Sequence, residues 1–273
     1  MADPGLDQDW RDRLPRLVAE CADQWDLELE EPFTGGNVSH VVPAGDSVLK
    51  IQWPHRESEH EAAALELLDG DGAVRLLAHD EERHALLLER CVPGTHLSER
   101  EPEAALDVLV ELLPQLWKPA GPPFRPLADE AAWWVGYLPE QWKRDGRPFE
   151  RELLDAAVSA LEELAPSQGE QVLLHQDLHG DNVLAAEREP WLVIDPKPLV
   201  GEREFGLASI IRSFELGHSE EAVRHRLDRL TSELGLDRER ARKWALGQTI
   251  AWTSGSDFQS THVENARWLL QAE

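Results

Sequence analysis

The feature that most constrains how this chain can fold is a change of pattern at Pro93-Gly94. Before it, short apolar runs are broken by turn residues; after it, apolar residues recur at helical spacing, except in the segment from Leu174 to Phe205. Residues 27–33, 38–42, 47–51, 73–78 and 84–89 have strand character, with Thr34-Gly35-Gly36-Asn37 as a turn between the first two. One helix, 57–68, interrupts them with Ala62, Leu65 and Leu68 on one face. Beyond the division, helices are expected over 101–117, 128–143, 149–164, 204–216, 219–234, 237–253 and 262–272. The pattern predicts an α+β chain with a small sheet-rich part over 1–88, a hinge at 89–94 and a larger helical part over 95–273.

The non-helical segment carries the chemistry. It reads His175-Gln176-Asp177-Leu178-His179-Gly180-Asp181-Asn182, then an apolar run from Trp191 to Ile194, then Asp195. Asp177 is suited to orienting or deprotonating a hydroxyl nucleophile. Asn182 and Asp195 offer hard oxygen ligands for Mg2+ on a nucleotide's phosphates. That set points to an ATP-dependent kinase. The crowding of His175, Asp177, His179 and Asp181 also suits a transition-metal site, so a metal-dependent hydrolase stands as an alternative.

Three upstream features favour the first reading. Lys50 lies in the apolar run Val48-Leu49-Lys50-Ile51, where a strand would aim it at phosphate, and Glu61 on the following helix is the candidate carboxylate to orient it, ahead of Glu57. Gly35, Gly36 and Ser39 lie in a turn whose backbone can approach phosphate oxygens, although an ordinary hairpin turn reads the same way. At the division, Glu89 and Cys91 would offer backbone groups to an adenine edge.

Composition removes other classes. With 53 acidic and 27 basic residues, the net charge of -26 opposes nonspecific binding to nucleic acid or anionic lipid and attracts cationic small molecules; it also serves solubility. The 2 cysteines, Cys21 and Cys91, have no metal-type spacing and form no disulfide framework. No apolar stretch reaches the roughly 18 residues of a membrane span. A soluble, cytoplasmic protein is expected, with its oligomeric state left open.

In this order, strand lysine, helix glutamate, hinge, His-x-Asp-x4-Asn and later aspartate, the chain resembles the aminoglycoside phosphotransferase group of the protein-kinase-like fold. The run Asp195-Pro196-Lys197-Pro198 is most similar to the streptomycin 6-kinase and hydroxyurea phosphotransferase family. The resemblance runs from about Phe33 to Ile211. It implies a two-lobed fold and transfer of the ATP γ-phosphate to a hydroxyl of an aminoglycoside or another small hydroxy compound. It also implies Asp177 as catalytic base, Asn182 and Asp195 as Mg2+ ligands, and Lys50 with Glu61 on phosphate. His179 would face the transferred phosphate or shape the loop; His175 would fix the loop; Lys197 would touch phosphate or lie on the surface. Two departures stand out: Gln176 where the family commonly has glycine, and Gly206 where an aspartate usually supports the catalytic loop. They keep open a nucleotide-binding protein with weak or no catalysis.

On the acceptor side, Asp129, Glu130, Trp133, Trp134, Tyr137 and Trp142 crowd one expected helix. They would hold a cationic sugar, or form aromatic core contacts beside a solvated acidic face.

Overall fold

A computed structural model describes residues 8–34, 38–254 and 259–272. Helix α1 (Gln8–Trp25) precedes β1 (Ser39–Ala44), β2 (Ser47–Gln52), helix α2 (Glu61–Leu68), β3 (Leu76–Asp80) and β4 (Ala85–Glu89). The four strands form one antiparallel sheet in the order β1-β2-β4-β3. Strand periodicity of two decides which way each side chain of β2 points. Leu49 and Ile51 are fully buried with Ala85 and Val42 against Trp10 and Cys21 of α1, while Lys50 and Gln52 face the other way.

Helix α1 is absent from the sequence expectation. Its signal was present, since Trp10, Leu14, Leu17, Val18, Cys21 and Trp25 recur at helical spacing and all pack in that second core. Pro15 and the charged residues between them obscure the pattern. The strand expected at 27–33 is an extended segment instead. Glu30 N–H to Pro43 O and Phe33 N–H to Val41 O, both 2.9 Å, join it to β1. The turn expected at 34–37 falls largely on Gly35, Gly36 and Asn37, which lie outside the described residues. The helix expected over 57–68 starts later, because His60 takes a left-handed φ of 67°.

The helical part contains α3 (Pro102–Leu116), the short strand β5 (Arg125–Pro126), α4 (Leu127–Arg144) and α5 (Arg151–Leu164). Strand β6 (Val172–His175), the hairpin β7 (Val183–Ala185) and β8 (Trp191–Val193), and β9 (Pro198–Gly201) follow. Then come α6 (Ala208–Arg212), α7 (Glu220–Leu234), α8 (Arg238–Ala251) and α9 (Gln259–Gln271). β9 lies between β5 and β6, so both ends of the non-helical segment share one small sheet. The main core runs beneath it, with Phe205 edge-on to Trp244 at 5.4 Å and stacked on Trp134 at 6.1 Å.

The single helix expected over 204–216 is broken. A 3-10 turn covers Arg203–Leu207, α6 ends at Arg212, and Ser213 is extended. The buried guanidinium of Arg226 explains how the break survives: it donates to the carbonyls of Ile211, Leu216 and Gly217 at 2.8–3.1 Å. Buried carbonyls left by an interrupted helix need such donors.

The two parts are clasped through the β7–β8 hairpin. Arg188 at its turn donates to both oxygens of Glu89 (2.8 and 3.0 Å) and to the carbonyls of Gly70 and Ala73 (2.8 and 2.9 Å). Val193 bonds across to Gly72 and Val74.

Candidate active site

A narrow cleft between the sheet and the β8–β9 connection is lined by Ser39, Lys50, Gln52, Glu57, Glu61, Asp195 and Lys197, among others. A larger cavity of about 880 Å³ lies between α3 and α7 and holds none of the motif residues. The smaller one holds Lys50, Glu61 and Asp195, whereas Asp177, His179 and Asn182 are not among the residues that line it.

Lys50 is the meeting point. Its ammonium lies 2.8 Å from both oxygens of Glu61 and 2.5 Å from Asp195 Oδ1, 145 positions away. Burial alone would lower the lysine's pKa, but Asp195 and then Glu61 reverse this and hold it protonated. Burial raises the Glu61 carboxyl, with Lys50 pulling against that. Gln52, two residues along β2 on the same face, also donates to Glu61. Glu61 opens α2, where the exposed backbone N–H groups favour a carboxylate. Glu57 also lines the cleft, without meeting Lys50.

The hairpin brings Asn182 and Asp195 to the open ends of β7 and β8. Val183 pairs with Val193, and Ile194 N–H donates to Asn182 O at 2.9 Å. Asn182 Nδ2 donates to Asp177 O at 2.8 Å, which fixes the amide and leaves Oδ1 as an oxygen donor. Asp195 sits at a φ of 56°, a left-handed conformation that aspartate tolerates better than most side chains. These are hard oxygen donors of the kind Mg2+ takes.

Asp177 is held by two cations. Lys197 pairs with Oδ2, and Arg212 approaches Oδ1 at 3.3 Å. Burial would raise the aspartate's pKa, yet Lys197, His179 and Arg212 together hold it well below the usual carboxylate range. Trp252 backs both cations, 5.5 Å from Lys197 and 4.4 Å from Arg212.

His175 uses both ring nitrogens within the loop. Nε2 donates to Ile194 O at 3.0 Å, and Nδ1 accepts from Asp177 N–H at 3.3 Å. Burial lowers its pKa to about 4. With both nitrogens engaged, His175 is no metal ligand, and the four residues the hydrolase reading requires do not converge. The set that does converge among the described residues is His179, Asp181 and Glu215, with ligand atoms within 4.8 Å. Hydrogen bonds account for it: Gly180 N–H donates to Glu215, Ser98 Oγ donates to Asp181, and His179 Nδ1 lies 3.5 Å from Glu215. His179 Nε2 is 3.3 Å from Asn182 Nδ2 and 3.9 Å from Asp177 Oδ2.

Ser39 lines the cleft, while Gly35 and Gly36 lie outside the described residues. Glu89 spends its carboxylate on Arg188 and on Arg75 N–H, and its own N–H donates to Arg75 O at 2.9 Å. Cys91 is half-buried, its thiol pushed up to about 11 by burial. Neither residue lines the cleft.

The residues missed from sequence are Arg212, Glu215, Gln248 and Trp252. Gln248 donates to Gln176 O at 2.8 Å, so the loop from His175 to Asn182 is supported from α8 and from Glu215. Gly206 has no side chain to supply that support, and a Cβ there would lie 3.1 Å from Trp117 Nε1. The amide of Gln176 is buried without a partner among the described residues. On α4, Trp134 is core, and Glu130 is taken by Arg56 and Arg125 at 2.6 Å each. Trp133 remains exposed, stacked on Tyr137 at 4.9 Å.

Residues 25–260 match the family described as aminoglycoside/hydroxyurea antibiotic resistance kinase. The chain is 40% identical to a streptomycin 6-kinase of Streptomyces griseus over 253 residues, covering 88% of this chain and 82% of that one. It is 41% identical to a hydroxyurea phosphotransferase of Kitasatospora aureofaciens over 247 residues, covering 87% and 71%. Among solved structures, the choline kinase LicA of Streptococcus pneumoniae superposes with a TM-score of 0.69 at 15% identity, covering 95% of this chain and 98% of that chain. At that identity the likeness shows the fold alone, and the fold is protein-kinase-like, as the order of motifs implied.

Proposed function

The chain belongs to the aminoglycoside/hydroxyurea antibiotic resistance kinase family, and from that premise we propose that it moves the γ-phosphoryl group of ATP to a hydroxyl of an aminoglycoside-like compound, conferring resistance to it. The enzyme is a phosphotransferase with an alcohol group as acceptor. The observation that carries the ATP reading is Lys50, held by Glu61 and Asp195 at once across a sheet, a helix and a distant loop. A cation so oriented is suited to nucleotide phosphates.

In this reading Asn182 and Asp195 would hold Mg2+, which would neutralise charge on the phosphates. Asp177 aligns the acceptor hydroxyl. The acceptor oxygen forms a bond to the γ-phosphorus, the bond from that phosphorus to the bridging oxygen breaks, and its electron pair leaves on ADP. The hydroxyl proton passes to Asp177. Because its neighbours keep Asp177 anionic, orientation matters more than basicity, which suits a loose transition state. No helix among the described residues is long and apolar enough to cross a membrane; in this reading the reaction runs in the cytoplasm, where ATP is supplied.

A coupled ADP-release assay across streptomycin, other aminoglycosides, hydroxyurea and simple sugars tests this. Acceptor-dependent release is expected from at least one. ATP-induced thermal stabilisation with no release from any of them would favour a nucleotide-binding protein without turnover.

A further inference from the structure

We propose that Lys197 is a moving cation: it rests on Asp177 Oδ2 until a nucleotide's γ-phosphate arrives, passes to that phosphate, and frees Oδ2 for the acceptor hydroxyl. This rests on the phosphotransferase reading and adds a residue to its machinery.

The two cations on Asp177 are built differently. Arg212 is 7% exposed, stacked on Trp252, and its carbonyl is held by Asn265 Nδ2 at 2.8 Å; it does not line the cleft. Lys197 does line it, beside Lys50 and Asp195. Asp177 itself does not line the cleft, and Oδ2 is the oxygen covered by the cation that does. The Lys197 backbone is fixed between Pro196 and Pro198, with its carbonyl accepting from Gln176 N–H at 3.2 Å. Only its flexible stem is left to move, and a lysine carries a point charge that can change partners without the planar match a guanidinium requires. The other nearby cations have different tasks: Lys50, assigned above to the nucleotide's phosphates, is oriented by two carboxylates, and His179 is engaged with Glu215 and Asn182. In the transfer, Lys197 would meet charge on the γ-phosphoryl oxygens while the acceptor O–P bond forms and the bond to ADP breaks. The proton released from the hydroxyl goes to the vacated Oδ2.

Calorimetric titration with MgADP and with the magnesium complex of AMP-PNP, a non-hydrolysable ATP analogue, reads the γ-phosphate contact without turnover. Lys197→Met should lose about tenfold of the affinity that the γ-phosphate adds, with MgADP unchanged. Lys197→Arg should keep most of it. Asp177→Asn, which releases the ammonium early, should bind the analogue several-fold more tightly than wild type. The double variant should behave as Lys197→Met. An unchanged preference for the analogue in Lys197→Met and Asp177→Asn, with wild-type melting profiles, would overturn the inference and leave ATP use standing. A wild-type protein that binds neither nucleotide would remove the phosphotransferase reading, and this inference with it.

Discussion

Gly180 donates its amide N–H to the carboxylate of Glu215, 35 positions later, and so ties the loop from His175 to Asn182 to the stretch after α6. A Cβ on Gly180 would lie 2.7 Å from Ser98 N and 2.8 Å from Glu215 Oε1, both too close. Gly180→Ala should displace the loop and lower kcat by at least about tenfold, a loss of geometry rather than of binding. Steady-state ADP release compared with MgADP affinity checks this; a parallel loss of both would point to unfolding.

Removing Lys50 leaves two carboxylates in the cleft without their cation. Lys50→Met should weaken ATP binding and reduce stability by about 3 kcal/mol, as expected when one partner of a buried pair is deleted. Glu61→Gln keeps a hydrogen-bond acceptor for Lys50 and should cost less. Urea unfolding of the two variants gives the comparison.

Arg226 serves three carbonyls from a site only 1% exposed. Its replacement by Met fills the volume but strands those carbonyls, so a loss of about 3 kcal/mol is expected. Arg212 and Glu215 both lie on the stretch it holds, and activity should fall with stability. A melting curve beside an ADP-release rate would reveal whether the two losses travel together.

Acid should destabilise the fold before it touches most carboxylates. Burial holds His175 and His262 down to about 4, against about 6.5 for free histidine. Between those values the unfolded chain binds protons that the native one refuses. The stabilisation is therefore complete above about 6.5 and is lost as pH falls through 4, roughly 3 kcal/mol for each histidine. Urea midpoints at pH 7, 6 and 5 should decline, and His262→Gln should flatten the decline. Midpoints independent of pH over that range would refute it.

The fold was readable because its evidence is local. The alternation Val48-Leu49-Lys50-Ile51 and the helical spacings of α3, α4, α5, α7 and α8 lie within single elements. Helix α1 was readable in principle, through Trp10, Leu14 and Cys21, but polar residues diluted the stripe. The motif segment gave its own residues and not those that hold them. Arg212, Glu215 and Gln248 reach Asp177, Gly180 and Gln176 from 35, 35 and 72 positions away, and no spacing rule connects such pairs. For Glu130, both open readings, a sugar-binding acid and a solvated acidic face, assumed an exposed carboxylate, whereas it is buried and satisfied by Arg56 and Arg125.

Asp195 holds a left-handed backbone at φ 56°, and asparagine is the residue best able to replace it there without strain. One nucleotide change converts either aspartate codon to an asparagine codon. Such a change would keep the loop's backbone shape while removing a charge from buried Lys50, so its cost to the fold falls on that ion pair and not on the turn.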